Sequence, residues 1–221
     1  MTQPFAAVIC DFDGVIADSE VGANQALADS LCAIGLPTTF DDCLRDYCGH
    51  NWLETERLAE ARLGCKLPVG FLEQYLERAR HRFESEFASV PGAGDFLGAC
   101  PLPLAIASSS GLAYLKWALE RLELAACFGK HLYSAEGMER GKPHPDIYLT
   151  AARGLGVAPD RCLAIEDSPV GAQAAVAAGM TVVGLVAAGH ILEPANHAER
   201  LRAAGVHHIA FAFDEVAALA C

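Results

Sequence analysis

Hydrophobic and polar positions along the chain follow two different rhythms. Residues 5–10, Phe-Ala-Ala-Val-Ile-Cys, form an apolar run with the length of a buried strand. No comparable run follows between about residue 18 and residue 88. That stretch instead shows helical periodicity over 19–31, 41–47, 53–63 and 69–87, broken at Gly35-Leu36-Pro37, at Gly49 and between residues 64 and 68. Asp18 or Ser19 is placed to cap the first of these helices. From Val90-Pro91-Gly92 onward short apolar runs return at 104–107, 131–134, 162–165, 181–186 and 208–213. They alternate with amphipathic segments at 112–122, 146–154, 169–178, 195–204 and 214–220. Strands alternating with helices predict a parallel sheet covered on both faces. The expected organisation is an α/β core from residues 1–17 and 89–221, with an all-helical insert over 18–88. The crossings near residues 15–18 and 89–92 are the natural hinges.

Composition narrows the class of partner. A 52 % hydrophobic, 20 % charged chain of 221 residues describes a globular protein with a sizeable core. Lys plus Arg is 16 against Asp plus Glu at 28, a formal net charge of -12. Nucleic-acid binders need a basic footprint, so neither nucleic acid nor an anionic membrane surface is an expected partner. Any phosphate site must carry its own local positive charge. The nine cysteines are scattered singly, without Cys-x-x-Cys or metal-finger spacing, which suggests reduced thiols and a cytoplasmic setting. No basic segment followed by an apolar stretch opens the chain, so no secretory signal is expected. The most apolar region, residues 174–189, contains Gly179, Thr181 and Gly184 and reads as a helix end followed by a strand.

Four places carry candidate chemistry. Asp11 and Asp13 follow the first strand and, two residues apart, leave it on the same side. Strand ends of this kind line the ligand crevice of open α/β sheets. Two like charges so close cost roughly a few kcal/mol, which a cation offsets or a proton relieves. Ser108 ends the next strand, and Ser109, Ser110 and Gly111 lead into a helix, an arrangement suited either to capping or to cradling a phosphate. Lys142 lies in Gly141-Lys142-Pro143-His144-Pro145, where two prolines restrict the backbone before a helix. Glu166 and Asp167 follow a buried strand, with Ser168 placed to cap and Pro169 to start the next helix. Asp11, Glu166 and Asp167 together offer the oxygen ligands that Mg²⁺ takes. A calcium loop is excluded, because Ile16 stands where its obligatory glycine would be.

Asp-Phe-Asp-Gly-Val-Ile-Ala-Asp-Ser-Glu over residues 11–20, Ser108, Lys142-Pro143 and Glu166-Asp167 resemble the four motifs of the haloacid dehalogenase-like superfamily, in its β-phosphoglucomutase-like branch. They occur in that order, each after a predicted strand, and the resemblance spans about residues 5–213. It implies an α/β fold with a Rossmann-like parallel sheet core and an inserted all-helical cap. It further implies Asp11 as nucleophile, Asp13 as general acid/base, Ser108 as holder of a phosphoryl oxygen, and Lys142 between nucleophile and phosphate. Ser109 and Ser110 follow as substrate-binding candidates. Mg²⁺ is the implied cofactor, held by Asp11, Glu166, Asp167 and the backbone carbonyl of Asp13.

The expected function is a Mg²⁺-dependent phosphatase acting through an aspartyl-phosphate on a small phosphorylated metabolite, a sugar or sugar-acid phosphate. Asp13 disfavours a dehalogenase. A β-phosphoglucomutase-type mutase is the alternative. Ala23 stands where mutases place a histidine, and the loop from Tyr47 to Trp52 lacks basic residues for a second phosphate. The cap looks more like that of sugar phosphatases such as 6-phosphogluconate phosphatase. His50, Asn51 and Trp52 are the specificity candidates, Trp52 serving equally as cap core. Arg78 and Arg82 share a helix face that reaches either a carboxylated substrate or solvent. From another class, a phospho-acceptor or binding module resembling receiver domains would need neither Asp13 nor a lid. The chain is expected to be a monomer or weak homo-oligomer.

Overall fold

The computed structural model describes residues 5–47 and 52–220. Strand β1 (Ala7–Cys10) is fully buried, and Ala6 ahead of it donates its N–H to Arg161 O at 2.8 Å. Helices α1 (Ser19–Ala33), α2 (Phe40–Asp46), α3 (Trp52–Leu63) and α4 (Phe71–Glu86) follow. The chain continues through α5 (Ala93–Ala99), β2 (Leu104–Ser108), α6 (Leu112–Arg121), α7 (Ala125–Phe128) and β3 (Leu132–Ser134). Then come α8 (Asp146–Leu155), β4 (Cys162–Glu166), α9 (Pro169–Ala177) and β5 (Thr181–Leu185). The last elements are α10 (Pro194–Ala203), β6 (His208–Ala210) and α11 (Phe213–Ala220).

Two compact units result: Met1–Asp18 with Ala88–Cys221, and Ser19–Phe87. The first holds a six-stranded sheet, every pair parallel, in the order β3-β2-β1-β4-β5-β6. β1 therefore lies at the point where winding reverses, with β2 on one side and β4 on the other. Cys10 pairs with Ile106 and with Ile165, so the residues after β1 emerge between the C-terminal ends of both neighbours. That is where open α/β sheets hold their ligands. Ile9, Ala105, Ala107, Ala164 and Val182 point into a core that Ile147, Tyr148, Ala151, Ala172 and Ala175 of α8 and α9 complete. The many alanines let these helices lie close to the strands.

Among its described residues the second unit has helices as its regular elements, joined by short turns. A capping box starts α2: Thr39 Oγ1 accepts the Asp42 N–H while the Asp42 carboxylate accepts the Thr39 N–H. Trp52 stacks on Phe71 and on Tyr75, at centroid distances of 6.2 and 5.7 Å, against a core that also holds Leu27, Leu31 and Tyr47. Arg82 of α4 pairs with Asp29 of α1 at 2.7 Å.

Two local outcomes differ from the sequence pattern. The apolar run 208–213 stays extended only to Ala210, because Phe213 opens α11 and packs its ring 5.2 Å from that of Phe96. Helices α5 and α7 were not expected. The first carries two glycines in seven residues and the second has four residues, too few to establish a period. The apolar region 174–189 does follow its pattern, dividing into the end of α9, a turn at Gly179 and β5. Among the described residues no helix is long and apolar enough to cross a membrane.

Candidate active site

The chain leaves β1 in a tight coil. The Asp11 N–H still bonds Ile165 O of β4 at 2.9 Å, and then Phe12 O accepts the N–H groups of Val15, Ile16 and Ala17. Gly14 turns the coil at φ +79, and a Cβ there would stand 2.0 Å from Asp167 Oδ2. Only glycine meets both demands. Its absent side chain lets the loop after β4 close against the loop after β1.

Lys142 binds the two loops electrostatically. Its Nζ lies 2.9 Å from Asp11 Oδ1 and 2.6 Å from Glu166 Oε1, with only 6 % of its side chain exposed. The ammonium also sits 5.2 Å over the Tyr148 ring. Burial by itself disfavours the Lys142 charge, yet Asp11 and Glu166 together raise its pKa above the ordinary lysine value, so it stays protonated. Burial and the Glu166 charge push the Asp11 carboxyl well above the usual carboxylate range, and Lys142 offsets only part of that rise.

Glu166 is fully buried and fully engaged. Oε1 accepts from Lys142 Nζ and from the Tyr148 hydroxyl, while Oε2 accepts from the N–H and Oγ of Ser168. Four donors occupy the four lone-pair positions of a carboxylate. Gly171 makes room for it, since a Cβ at that position would lie 1.9 Å from Glu166 Oε1. Tyr148 is the residue that sequence reasoning missed here. It lies six positions after Lys142 on α8, in a helical pattern like that of any buried aromatic.

Carboxylate oxygens of Asp11, Glu166 and Asp167 lie within 4.8 Å of one another. The donor set is all oxygen, and three acids face one ammonium, so a hard divalent cation fits both the ligand type and the excess negative charge. Asp167 is supported from behind. His197 Nε2 donates to its carbonyl oxygen, and His190 Nε2 stands 3.5 Å from Oδ2. Neither histidine was singled out from the sequence, because each lies 23 or 30 residues downstream in an irregular loop or helix start with no ligand spacing.

On the other side of β1, Ser108 ends β2 fully buried, and its Oγ accepts the Ser110 N–H at 3.0 Å. Ser134 Oγ donates to Ser110 O at 2.7 Å, which fixes the turn. Ser110 Oγ and the Tyr114 hydroxyl each donate to Asp13, to Oδ2 at 2.5 Å and to Oδ1 at 3.0 Å. Ser109 is exposed on the same turn. The structure thus brings Asp11, Lys142, Glu166 and Asp167 into one cluster, with Asp13, Ser108 and Ser110 at the adjoining strand ends. Trp52 lies in the aromatic stack of the helical unit, and His50 and Asn51 lie outside the described residues.

A family model described as haloacid dehalogenase-like hydrolase matches residues 5–179. The 6-phosphogluconate phosphatase of Escherichia coli (strain K12) is 27 % identical over 177 residues, covering 80 % of this chain and 80 % of that protein. The phosphoglycolate phosphatase of the same strain is 29 % identical over 207 residues, covering 83 % of this chain and 82 % of that protein. Among solved structures, a HAD family hydrolase from Deinococcus radiodurans R1 with bound phosphate and sodium superposes with a TM-score of 0.87 at 31 % identity. The match covers 99 % of this chain and 98 % of that one.

Proposed function

Because this chain belongs to the haloacid dehalogenase-like hydrolases, we propose that it is a Mg²⁺-dependent phosphatase whose substrate is a small sugar or sugar-acid phosphate. The observation that carries this reading is the buried Lys142 held between Asp11 and Glu166, at 2.9 and 2.6 Å. An acidic protein needs such a fixed positive charge to bring a phosphate dianion against a carboxylate nucleophile. The names of the two Escherichia coli relatives, both phosphatases of small acidic metabolites, support the substrate class.

In the first step an Asp11 carboxylate oxygen attacks phosphorus, the ester P–O bond breaks, and its electron pair leaves on the alcohol oxygen. Asp13 supplies the proton that this oxygen needs. Lys142, Ser108 and the backbone N–H groups after β2 stabilise charge on the phosphoryl oxygens. Asp13 then takes a proton from water as that water attacks phosphorus, freeing inorganic phosphate and restoring the Asp11 carboxylate. A bound Mg²⁺ supplies neutralisation of phosphate charge against the acids. Asp11, Asp167 and the Asp13 carbonyl would hold it. Glu166 would ligate only by releasing one of its four donors, so its first task is to hold Lys142. His50 and Asn51 remain proposed substrate contacts, and Trp52 acts by shaping the helical unit from within.

The test is release of inorganic phosphate from p-nitrophenyl phosphate, 6-phosphogluconate and other metabolite phosphates, with Mg²⁺ and with a chelator. Metal-dependent turnover that Asp11→Asn abolishes without loss of the folded state supports the reading. Full activity in Asp11→Asn, or no release from any phosphoester, refutes it. The second result favours a phospho-acceptor module instead.

A further inference from the structure

Tyr114 stands on the first turn of α6, on the far side of β1 from the Lys142 cluster, and the proposed chemistry has not yet used it. Its ring is gripped twice. It meets Phe12, the residue between the two acids, edge-on at 5.9 Å and 87°, and it stacks on Trp117 at 6.0 Å. Phe12 is fully buried, so this contact ties the ring to the core rather than to a mobile surface. A tyrosine with its ring fixed has a fixed hydroxyl, and here that hydroxyl donates to Asp13 Oδ1 at 3.0 Å. Ser110 Oγ donates to the other oxygen, from a turn that Ser108 and Ser134 themselves fasten.

We infer that Tyr114 is a positioning residue for Asp13, acting with Ser110 to set the rotation of that carboxyl group so that it meets the leaving-group oxygen. Asp13 is partly exposed, and the last torsion of an aspartate is broad and soft. One hydroxyl on each oxygen narrows that rotation. Hydroxyls suit the task because they serve an acid in either protonation state: they donate to the carboxylate and accept from the carboxylic acid. An ammonium or guanidinium would lock the group as an anion and prevent it from acting as an acid. The inference rests on the reading of Asp13 as general acid.

The help of a general acid matters most when the departing oxyanion is a poor leaving group. Phenol, which ionises near about 10 as a tyrosine side chain does, needs a proton more than the more acidic p-nitrophenol. The experiment is therefore kcat/KM for phenyl phosphate and p-nitrophenyl phosphate with wild type, Tyr114→Phe and Asp13→Asn, in Mg²⁺. This parameter covers the steps up to departure of the alcohol, and the ratio of the two values cancels the fraction of folded enzyme. Tyr114→Phe keeps the ring contacts. It is expected to lower kcat/KM about tenfold with phenyl phosphate and less than about twofold with p-nitrophenyl phosphate, a part of the roughly 10²–10⁴-fold that general acid–base catalysis contributes. Asp13→Asn shows the same selectivity more strongly. Equal losses on both esters in Tyr114→Phe, or no loss on either, overturn the positioning role while Asp13→Asn remains selective. Loss of selectivity in Asp13→Asn itself overturns the general-acid reading, and the inference with it.

Discussion

Single side chains in this protein are placed by what lies across the fold from them, and His190 illustrates the energetic consequence. Its side chain is 10 % exposed, its Nδ1 is buried without a hydrogen-bond partner among the described residues, and burial followed by the His197 charge lowers its pKa from 6.5 to about 4. Between those two values the unfolded chain binds a proton that the folded chain does not. Stability is therefore complete above the unfolded value and declines as pH falls toward the folded one, by up to about 3 kcal/mol. Urea unfolding midpoints compared at about pH 7.5 and about pH 5 should drop on acidification, and His190→Asn should drop less. Equal acid sensitivity in both proteins would show that His190 does not carry the effect. At this scale the acids were legible in the sequence, since a carboxylate directly after a buried apolar run has few structural uses. Tyr148, Tyr114 and His190 were not. Tyr114 and Asp13 are 101 residues apart, and nothing local marks either as the partner of the other.

Elements position the site by where they stop and by how closely they approach. β4 ends at Glu166, Ser168 caps α9 by accepting the Gly171 N–H, and the same Ser168 donates to Glu166. The helix start and the carboxylate thus share one serine, and Gly171 is small enough to lie over both. Gly171→Ala would improve helix propensity by about 1 kcal/mol in isolation. Its Cβ would nevertheless fall 1.9 Å from Glu166 Oε1, a position held by hydrogen bonds from Lys142 and Tyr148. The clash outweighs the propensity. A net loss of about 1–3 kcal/mol is expected in chemical denaturation, with a larger proportional loss of kcat/KM as Lys142 shifts away from Asp11. A variant with unchanged kcat/KM would show that Glu166 and Lys142 need not keep this arrangement. Sequence reasoning found the proline and serine of this helix start from their capping chemistry. The need for glycine two residues later was invisible, because it arises from a side chain reaching across from the strand.

For the whole molecule, the insert at Ser19–Phe87 joins the α/β unit where that unit is already closed. The Asp18 N–H donates to Ala88 O at 3.0 Å, the Val90 N–H to Ile16 O at 2.9 Å, and Ala17 pairs with Ser89 in an isolated antiparallel bridge. Ends held this way allow the insert to be replaced by a short Gly-Ser linker. The shortened protein is expected to unfold in one cooperative transition and to retain its carboxylate cluster; a molten or aggregated product would show that the sheet depends on the helical unit. Cation binding is checked by the same kind of measurement on the full chain. Mg²⁺ at about 100 times its dissociation constant should stabilise the protein by about 2.7 kcal/mol, seen as a rise in Tm, and Asp167→Asn should largely lose the rise. An equal rise in the variant would place the cation elsewhere.

Strand and helix identity, the parallel character of the sheet, the helical insert and the strand-end acids were determined by the sequence itself. Each depends on the period of apolar residues or on a residue's immediate neighbours, and such short-range physics is written along the chain. Short helices such as α5, the engagement of all four Glu166 lone pairs, the glycines demanded by Asp167 and Glu166, and the hydroxyls on Asp13 were decided only by the tertiary structure. These depend on which atoms meet once six strands have been ordered with β1 near the middle. Hydrogen bonds and steric contacts act over a few ångströms in space whatever the separation in sequence, and the order of strands is what converts the one into the other.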